Sequence, residues 1–376
     1  MITPIMKFLW LTLLGSVLIN FSLIAQNTDT ATCNKTLEPT AGYICDIARN
    51  FSGGMETGNA YMGLLHAGIT IHTDRLWKGG KLVIEGMNTH GHGLSAHYLG
   101  DIQVVSNIEN GDYTFIYQLL YKQYFSKGFL SVGVQDLNAE FAGSEYGAAL
   151  TNSSFGIHSS FPLNFGVSIY PKPSLAIAGG YQFTDQFTFR TGIYDADAGS
   201  LEDDKYNTDW PVDEIMSISE LEYNAGKTLN TTFKIGGYYL SGEYTHITDT
   251  ARTYNGNYGL YLVADQKLID SEVRGLALFG QLGYMPENRN YNILYGGIGL
   301  NLTAPFKSRK DDVFACGAAY ARLFNDEYEC DLEFNYCFSL CDYISIQPAF
   351  HYIIHPGADQ GLDNAFAAFL RISTGF

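Results

Sequence analysis

After residue 25 the chain has no apolar run that reaches the roughly 20 residues a membrane-crossing helix needs, so past that point it either avoids the bilayer or crosses it as strands. Proline is scarce at 10 residues, and positive charge is low, with 22 Lys and Arg against 39 Asp and Glu and a formal charge of −17. That balance disfavours nucleic acid, whose binding depends on neutralising phosphates. There are only six cysteines, with no Cys-x-x-Cys pair and no histidine at finger-like spacing from them, so no metal ligand set is assigned. What is abundant points the other way. Tyr (27), Phe (24) and Gly (40) are strand and turn formers, and mean hydropathy is near zero, as expected when the two faces of each strand alternate.

The amino terminus carries Lys7, an uncharged apolar stretch from Phe8 to Ile24, and Ala25-Gln26, the pattern of a secretory signal peptide over residues 1–25. A membrane anchor is the rival. The polar run from Gln26 to Thr30 and the lack of a basic stop-transfer cluster weigh against it. Removal of Lys7 with that peptide would take the charge from −17 to −18. Residues 26–42 are then expected as a short periplasmic segment and 43–376 as the folded body.

The carboxyl end sets the pattern. In Asn364–Phe376, Phe366, Leu370, Ile372 and Phe376 share one face, while Ala365, Ala367, Arg371, Ser373 and Gly375 take the other, interrupted only by Phe369. Tyr328–Phe338 alternates more sharply, setting Glu329, Asp331, Glu333 and Asn335 opposite aromatic and aliphatic residues, which predicts water on the acidic face. Asp342–His355 and thirteen further segments alternate likewise, at Tyr43–Phe51, Asn59–Thr73, Lys81–Thr89, Tyr113–Gln123, Gly128–Gln135, Ser174–Tyr181, Phe187–Asp195, Glu214–Asn224, Thr231–Ser241, Gly256–Gln266, Gly275–Met285, Asn290–Thr303 and Val313–Arg322. Short connections (Asp74–Gly80, Phe125–Lys127, Gln182–Gln186, Ser339–Cys341) alternate with long ones (His90–Asp112, Asp136–Pro173, Ala196–Asp213, Gly242–Asn255). The predicted fold class is therefore all-β, a transmembrane antiparallel β-barrel of about 16 strands with long extracellular loops and short periplasmic turns. A soluble β-sandwich or solenoid is the competing all-β reading, and aromatic residues near strand ends disfavour it.

Six half-cystines allow about fifteen pairings. Cys337 with Cys341, across a turn at Phe338-Ser339-Leu340, and Cys33 with Cys45 are the pairings the spacing suggests.

Several phrases carry a resemblance: Asn50-Phe-Ser-Gly-Gly, Leu76-Trp-Lys-Gly-Gly, Gly100-Asp-Ile-Gln-Val-Val-Ser-Asn-Ile-Glu, Val132-Gly-Val-Gln-Asp-Leu-Asn-Ala-Glu-Phe-Ala, Asn152-Ser-Ser-Phe-Gly, Ser308-Arg-Lys-Asp-Asp, Gln347-Pro, His355-Pro-Gly and the terminal Phe376. In this order they resemble the carbohydrate-selective porin family of bacterial outer membranes, the OprB type. The resemblance implies a sixteen-stranded outer-membrane barrel that passes small sugars or other polar solutes by diffusion, without cofactor or chemical step. It further implies outer-membrane lipid as the surroundings, recognition of Phe376 by the barrel assembly machinery, and a homotrimer, although no face stands out as a subunit interface. The segment before Tyr43 departs from the family in lacking a Trp-Gly-Gly-x-Arg-like stretch, which leaves an amino-terminal plug unsupported.

In a pore, selection comes from lumen charges, hydrogen-bonding groups and aromatic faces. The long Asp136–Pro173 connection is the candidate for an infolded constriction, where Asp136, Glu140, Asn152 and Ser153 could meet sugar hydroxyls and Phe141 and Phe155 are expected to anchor. The strand register turns Gln118, Lys122, Gln135, Arg190, Lys234, Glu329, Asp331, Glu333, Gln347 and Arg371 inward, because an Arg or Lys at the bilayer midplane costs about 2–4 kcal/mol. More than half are expected only to solvate or brace the wall. Arg190 and Arg371 would set a transverse field if they stood opposite acids such as Asp331 and Glu333. The alternatives are a general diffusion porin with weak cation preference, suggested by the acidic balance, and an outer-membrane hydrolase. His158-Ser159-Ser160 offers the latter residue types but no Gly-x-Ser-x-Gly elbow, so no catalytic residue is assigned. His90, His92 and His97 lack the neighbouring carboxylates or cysteines of a metal site.

Overall fold

The computed structural model describes residues 36–196, 214–226, 231–271 and 274–375. The expected signal peptide, Cys33 and Phe376 lie outside them. Sixteen strands follow one another: β1 Leu37–Ser52, β2 Gly58–His72, β3 Gly80–His92, β4 Tyr113–Phe125, β5 Gly128–Gln135, β6 Ser174–Gln182, β7 Phe187–Asp195, β8 Ile215–Asn224, β9 Thr231–Thr245, β10 Thr253–Asp270, β11 Gly275–Tyr284, β12 Asn292–Thr303, β13 Val313–Leu323, β14 Tyr328–Cys341, β15 Ile344–Ile354 and β16 Ala365–Gly375. Each pairs antiparallel with its sequence neighbours. β1 also pairs with β16, Asp46 lying opposite Arg371, so the sheet closes with no free edge.

The alternation explains the closure. Ile47, Leu130, Ile177, Ile235, Leu262, Ile298 and Phe350 are exposed on the outer wall, where lipid replaces water, and their chain neighbours point in. The inward faces of β13, β15 and β16 carry alanine at Ala315, Ala319, Ala321, Ala349, Ala365 and Ala367, all fully buried. Small side chains there make room for chain folded into the barrel. Phe369, which breaks the alternation, points inward and stacks on the His351 ring at 5.3 Å between centroids.

Two long connections occupy that room. Segment 93–112 presses Leu94, Leu99, Val105 and Ile108 against inward residues of β1, β2, β15 and β16. Segment 136–173 buries Leu137, Phe141, Ile157 and Phe161 among residues of β6 to β10, with Leu150 and Phe155 packed against Phe279, Tyr295 and Ala315. Phe141 and Phe155 thus anchor, Phe155 meeting Phe279 edge-on at 5.6 Å. At Gly317 on β13 an added Cβ would stand 2.7 Å from the end of the Leu150 side chain and 2.9 Å from the tip of the Phe155 ring, so glycine lets both reach the wall without shifting.

All sixteen expected strands are present, with differences at their ends. β1 starts at Leu37, six residues before the alternation was expected to begin, and β9 and β10 extend into the connection between them. β14 continues through Cys341, so the turn falls at Asp342-Tyr343, beyond both cysteines. Cys337 and Cys341 are free and cannot bridge a turn at Phe338-Ser339-Leu340, because extended backbone occupies it; Cys45 is also free.

Candidate functional site

Segment 136–173 is held by carboxylates that the barrel wall projects inward. Glu333 on β14 accepts the backbone N–H of Thr151 at 2.8 Å, the Thr151 hydroxyl at 2.8 Å and the backbone N–H of Asn152 at 3.0 Å. Asp331, two residues earlier and so on the same face, accepts Asn152 Nδ2 at 2.7 Å. His351 on β15, directly opposite Glu333, lies 2.8 Å from Asp331 through Nδ1 and 3.2 Å from Thr151 Oγ1 through Nε2. Asn152 in turn caps the helical turn Ser153–Gly156, its Oδ1 accepting Ser154 N–H at 2.8 Å. This cluster is a latch for a loop.

Segment 93–112 is secured by the same strand. Glu329 accepts the N–H groups of Ile102 (2.9 Å), Gln103 (3.0 Å) and Gly357 (2.7 Å). The two segments then join each other, Asn107 N–H donating to Thr151 O at 2.9 Å and Ser153 N–H to Val104 O at 3.0 Å. The acidic face of β14 was expected to meet water. Glu329, Asp331 and Glu333 are instead fully buried, because backbone N–H groups of the infolded chain, for Glu329 and Glu333, and the Asn152 amide and His351 ring, for Asp331, supply the compensation that solvent would otherwise provide.

Ligand-type atoms of Asp331, Glu333 and His351 lie within 4.8 Å of one another, the kind of grouping that can hold a metal ion. Both oxygens of Glu333 and one of Asp331 are already taken by protein donors, leaving Asp331 Oδ1 as the one carboxylate oxygen of the pair without a partner. The set is therefore closed around the loop rather than open towards an ion.

A second band of charge follows the edge of segment 136–173 on the opposite wall. Lys122 on β4 pairs with Glu140, and its ammonium lies 4.0 Å from the centre of the Phe129 ring. Arg190 on β7 donates to Glu222 at 2.8 Å and to Glu220 at 3.3 Å. Lys234 on β9 donates to Gly143 O at 2.8 Å and stands 4.0 Å from Glu222. Glu220 also accepts Ala142 N–H at 2.8 Å and the Tyr261 hydroxyl at 2.9 Å, and Asp265 accepts Ser144 Oγ at 2.5 Å and Glu145 N–H at 3.0 Å. Glu220 and Asp265 are buried fixings. The side chains of Lys122 and Lys234 keep 18% and 17% of their surface open, and so can meet a solute.

The remaining expected residues divide clearly. Gln118 is half-buried opposite Glu85. Gln135 is buried between Ser131 and Ala176 O, and Asp136 accepts the Tyr117 hydroxyl and Asn138 N–H, each at 2.7 Å. Gln347 donates to Ala149 O at 3.0 Å, another tie on the loop. Arg371 makes a two-point pair with Asp46 at 2.8 Å and 2.8 Å, joined by Ser106. The arginines therefore do not face Asp331 and Glu333 as contact partners; Asp46, Glu220 and Glu222 take that place, and none of these three stood out in the sequence. Alternation does place Asp46 inward, which was the available signal.

His158 is fully buried among Phe161, Tyr261 and Tyr295, with Nδ1 2.6 Å from Ser160 Oγ, and burial pushes its imidazole down to about 3. It has no open face to a substrate. His92 and His97 stack at 3.6 Å, so their in-plane lone pairs run side by side, whereas one ion would need them to converge.

Comparison with known proteins agrees with the architecture. Residues 56–376 match the carbohydrate-selective porin, OprB family. Porin B of Pseudomonas aeruginosa is 23% identical over 401 residues, covering 89% of this chain and 86% of that protein. The high pH structure of Pseudomonas putida OprB superposes with a TM-score of 0.84 at 18% identity, covering 91% of this chain and 94% of that one. OmpT of Vibrio cholerae, in a trimer form, gives a TM-score of 0.54 at 9% identity over 91% of this chain and 99% of that one.

Proposed function

The chain belongs to the OprB family of carbohydrate-selective porins, and on that premise we propose that sugars diffuse through its lumen along the charged edge of segment 136–173, in contact with Lys122, Glu140, Glu222 and Lys234, with buried Arg190 holding Glu222 in place. The protein is an outer-membrane carbohydrate porin, and its family and fold point to a channel rather than an enzyme. The observation that carries the proposed path is the contrast between the two walls. On β14 the inward carboxylates are spent on holding the infolded chain, whereas Lys122, Glu222 and Lys234 keep partly open side chains of both signs, with the Phe129 ring beside Lys122. Alternating donors and acceptors next to an aromatic face suit a polyhydroxylated solute that must bind weakly and leave. Gln118, Gln135, Asp136, Asn152, Gln347, Arg371 and the three β14 acids serve to shape the channel.

Planar-bilayer recordings test this. Glucose or maltose should reduce the ionic current, and Glu222→Gln or Lys234→Gln should weaken that block; a current indifferent to every sugar tried would refute it. The weak cation preference suggested by composition is the lesser reading, because the acidic β14 face behind it is occupied in holding the segments. As further parts of the proposal, three copies assemble into a trimer, which cross-linking in intact outer membranes would test. Phe376 directs insertion, and normal surface abundance of a chain lacking it would count against that role.

A further inference from the structure

At the periplasmic mouth, β3 and β4 set Lys81 directly opposite Lys122 on the lumen face. Like charges so placed repel, and a fold keeps such a pair only where something offsets it. For Lys122 the offset is Glu140. Lys81 forms no ion pair among the described residues, and its neighbour on β2, His72, is itself committed to Glu38 at 3.0 Å. The two ammonium groups nevertheless converge on one ring: Lys81 Nζ is 5.3 Å and Lys122 Nζ 5.2 Å from the centre of Tyr124, with Phe129 beside it at 6.4 Å between rings. Across the next pair of strands, Gly180 lacks the Cβ that would stand 2.6 Å from the Phe129 ring, so this ring lies close to the wall with the Lys122 ammonium 4.0 Å from its centre, while Tyr124 stays 41% exposed.

We propose that Lys81, Lys122, Tyr124 and Phe129 form a subsite for an anionic sugar, one carrying a carboxylate or a phosphate group. The anionic group pairs with Lys81, the ammonium that lacks a carboxylate, next to the Lys122–Glu140 pair, while an apolar face of the sugar ring lies on the exposed Tyr124 ring, which Phe129 backs. Lipid headgroups are not the occupant, since Lys122 lies opposite buried Ser131 and pairs with the infolded Glu140. The subsite gives a chain of net charge −17 a local preference for anions where solutes leave the channel. It rests on the sugar-channel reading above and narrows the solute class.

The test uses the full-length protein in planar bilayers at low salt, with glucose, glucuronate, glucose 6-phosphate and inorganic phosphate added from the periplasmic side. Glucuronate and glucose 6-phosphate should block at concentrations about tenfold below glucose, the scale expected for pairing one desolvated charge. Lys81→Gln should remove that advantage and leave glucose block unchanged, and Lys81→Arg should retain it. Because Lys81→Gln relieves a like-charge pair, it should fold at least as well as the parent. Equal block by acidic and neutral sugars in the parent, or equal weakening of both in Lys81→Gln, would overturn the anionic subsite and leave the sugar channel standing. Block by inorganic phosphate as strong as by glucose 6-phosphate would reduce it to a simple anion filter and overturn the sugar part. No effect of any sugar would overturn the channel reading itself.

Discussion

Replacing Glu333 by Ala should unlatch segment 136–173 and widen the pore. In the intact protein this carboxylate receives three donors from the segment, namely Thr151 N–H, Thr151 Oγ1 and Asn152 N–H, all buried. A buried donor left without an acceptor costs about 1–3 kcal/mol, so the three together put at least about 3 kcal/mol against the docked position. Water entering behind the released segment would recover part of this. A net shift of about 3 kcal/mol still multiplies the undocked population roughly a hundredfold. Single-channel recordings should therefore show higher conductance with frequent steps between levels, and limited proteolysis should cut between 136 and 173 where the parent resists. Glu333→Gln should behave similarly but less severely, because its amide keeps one acceptor oxygen. Parent-like conductance, noise and protease resistance, in a barrel whose heat-modifiable mobility proves it folded, would refute the latch.

Other changes probe other ties. Gly317→Leu would press side chain into Leu150 and Phe155, so it should displace the same segment while leaving β14 intact, giving the conductance pattern of Glu333→Ala. Arg371→Gln should destabilise the barrel by about 3–5 kcal/mol because it strands buried Asp46, and Asp46→Asn in the same chain should recover much of the loss; urea unfolding in detergent measures both. Among the five free cysteines described, exposed Cys341 should react first with a charged maleimide, whereas Cys45, Cys316 and Cys330 on the outer wall should stay unlabelled in the bilayer.

The barrel itself was legible because a two-residue period records which face each side chain takes, and lipid on one face makes that record strict. Even the inward turn of Arg371 and Glu333 could be read. Their partners could not, since alternation carries no information about what stands across the lumen. Alternation alone gives Glu333 a face turned to water, and it is the backbone of Thr151 and Asn152 that takes the place of that water. Segment 93–112 has the length of an ordinary external loop, yet it carries Leu94, Leu99, Val105 and Ile108; the complementary clue is the small inward side chains Ala315, Ala319, Ala321, Ala365 and Ala367 of β13 and β16, too small to fill a lumen alone. The cysteine turn failed for a simpler reason: Ser339 resembles a turn residue, yet Phe338 and Ser339 still pair with Ile346 and Ser345.

The ties that narrow the lumen reach far along the chain, Thr151 to Glu333 over 182 residues and Ile102 to Glu329 over 227, and the seam that closes the wall reaches further still, with Asp46 and Arg371 325 residues apart. Contacts so far apart form late, because the intervening chain must be ordered first. The lumen-facing carboxylates of β14 join the wall after thirteen strands have already been laid down. Maturation of this barrel thus leaves the β14 latch and the β1–β16 seam to the same late steps, so the sieve is set as the wall closes and no closed, unselective hole precedes it.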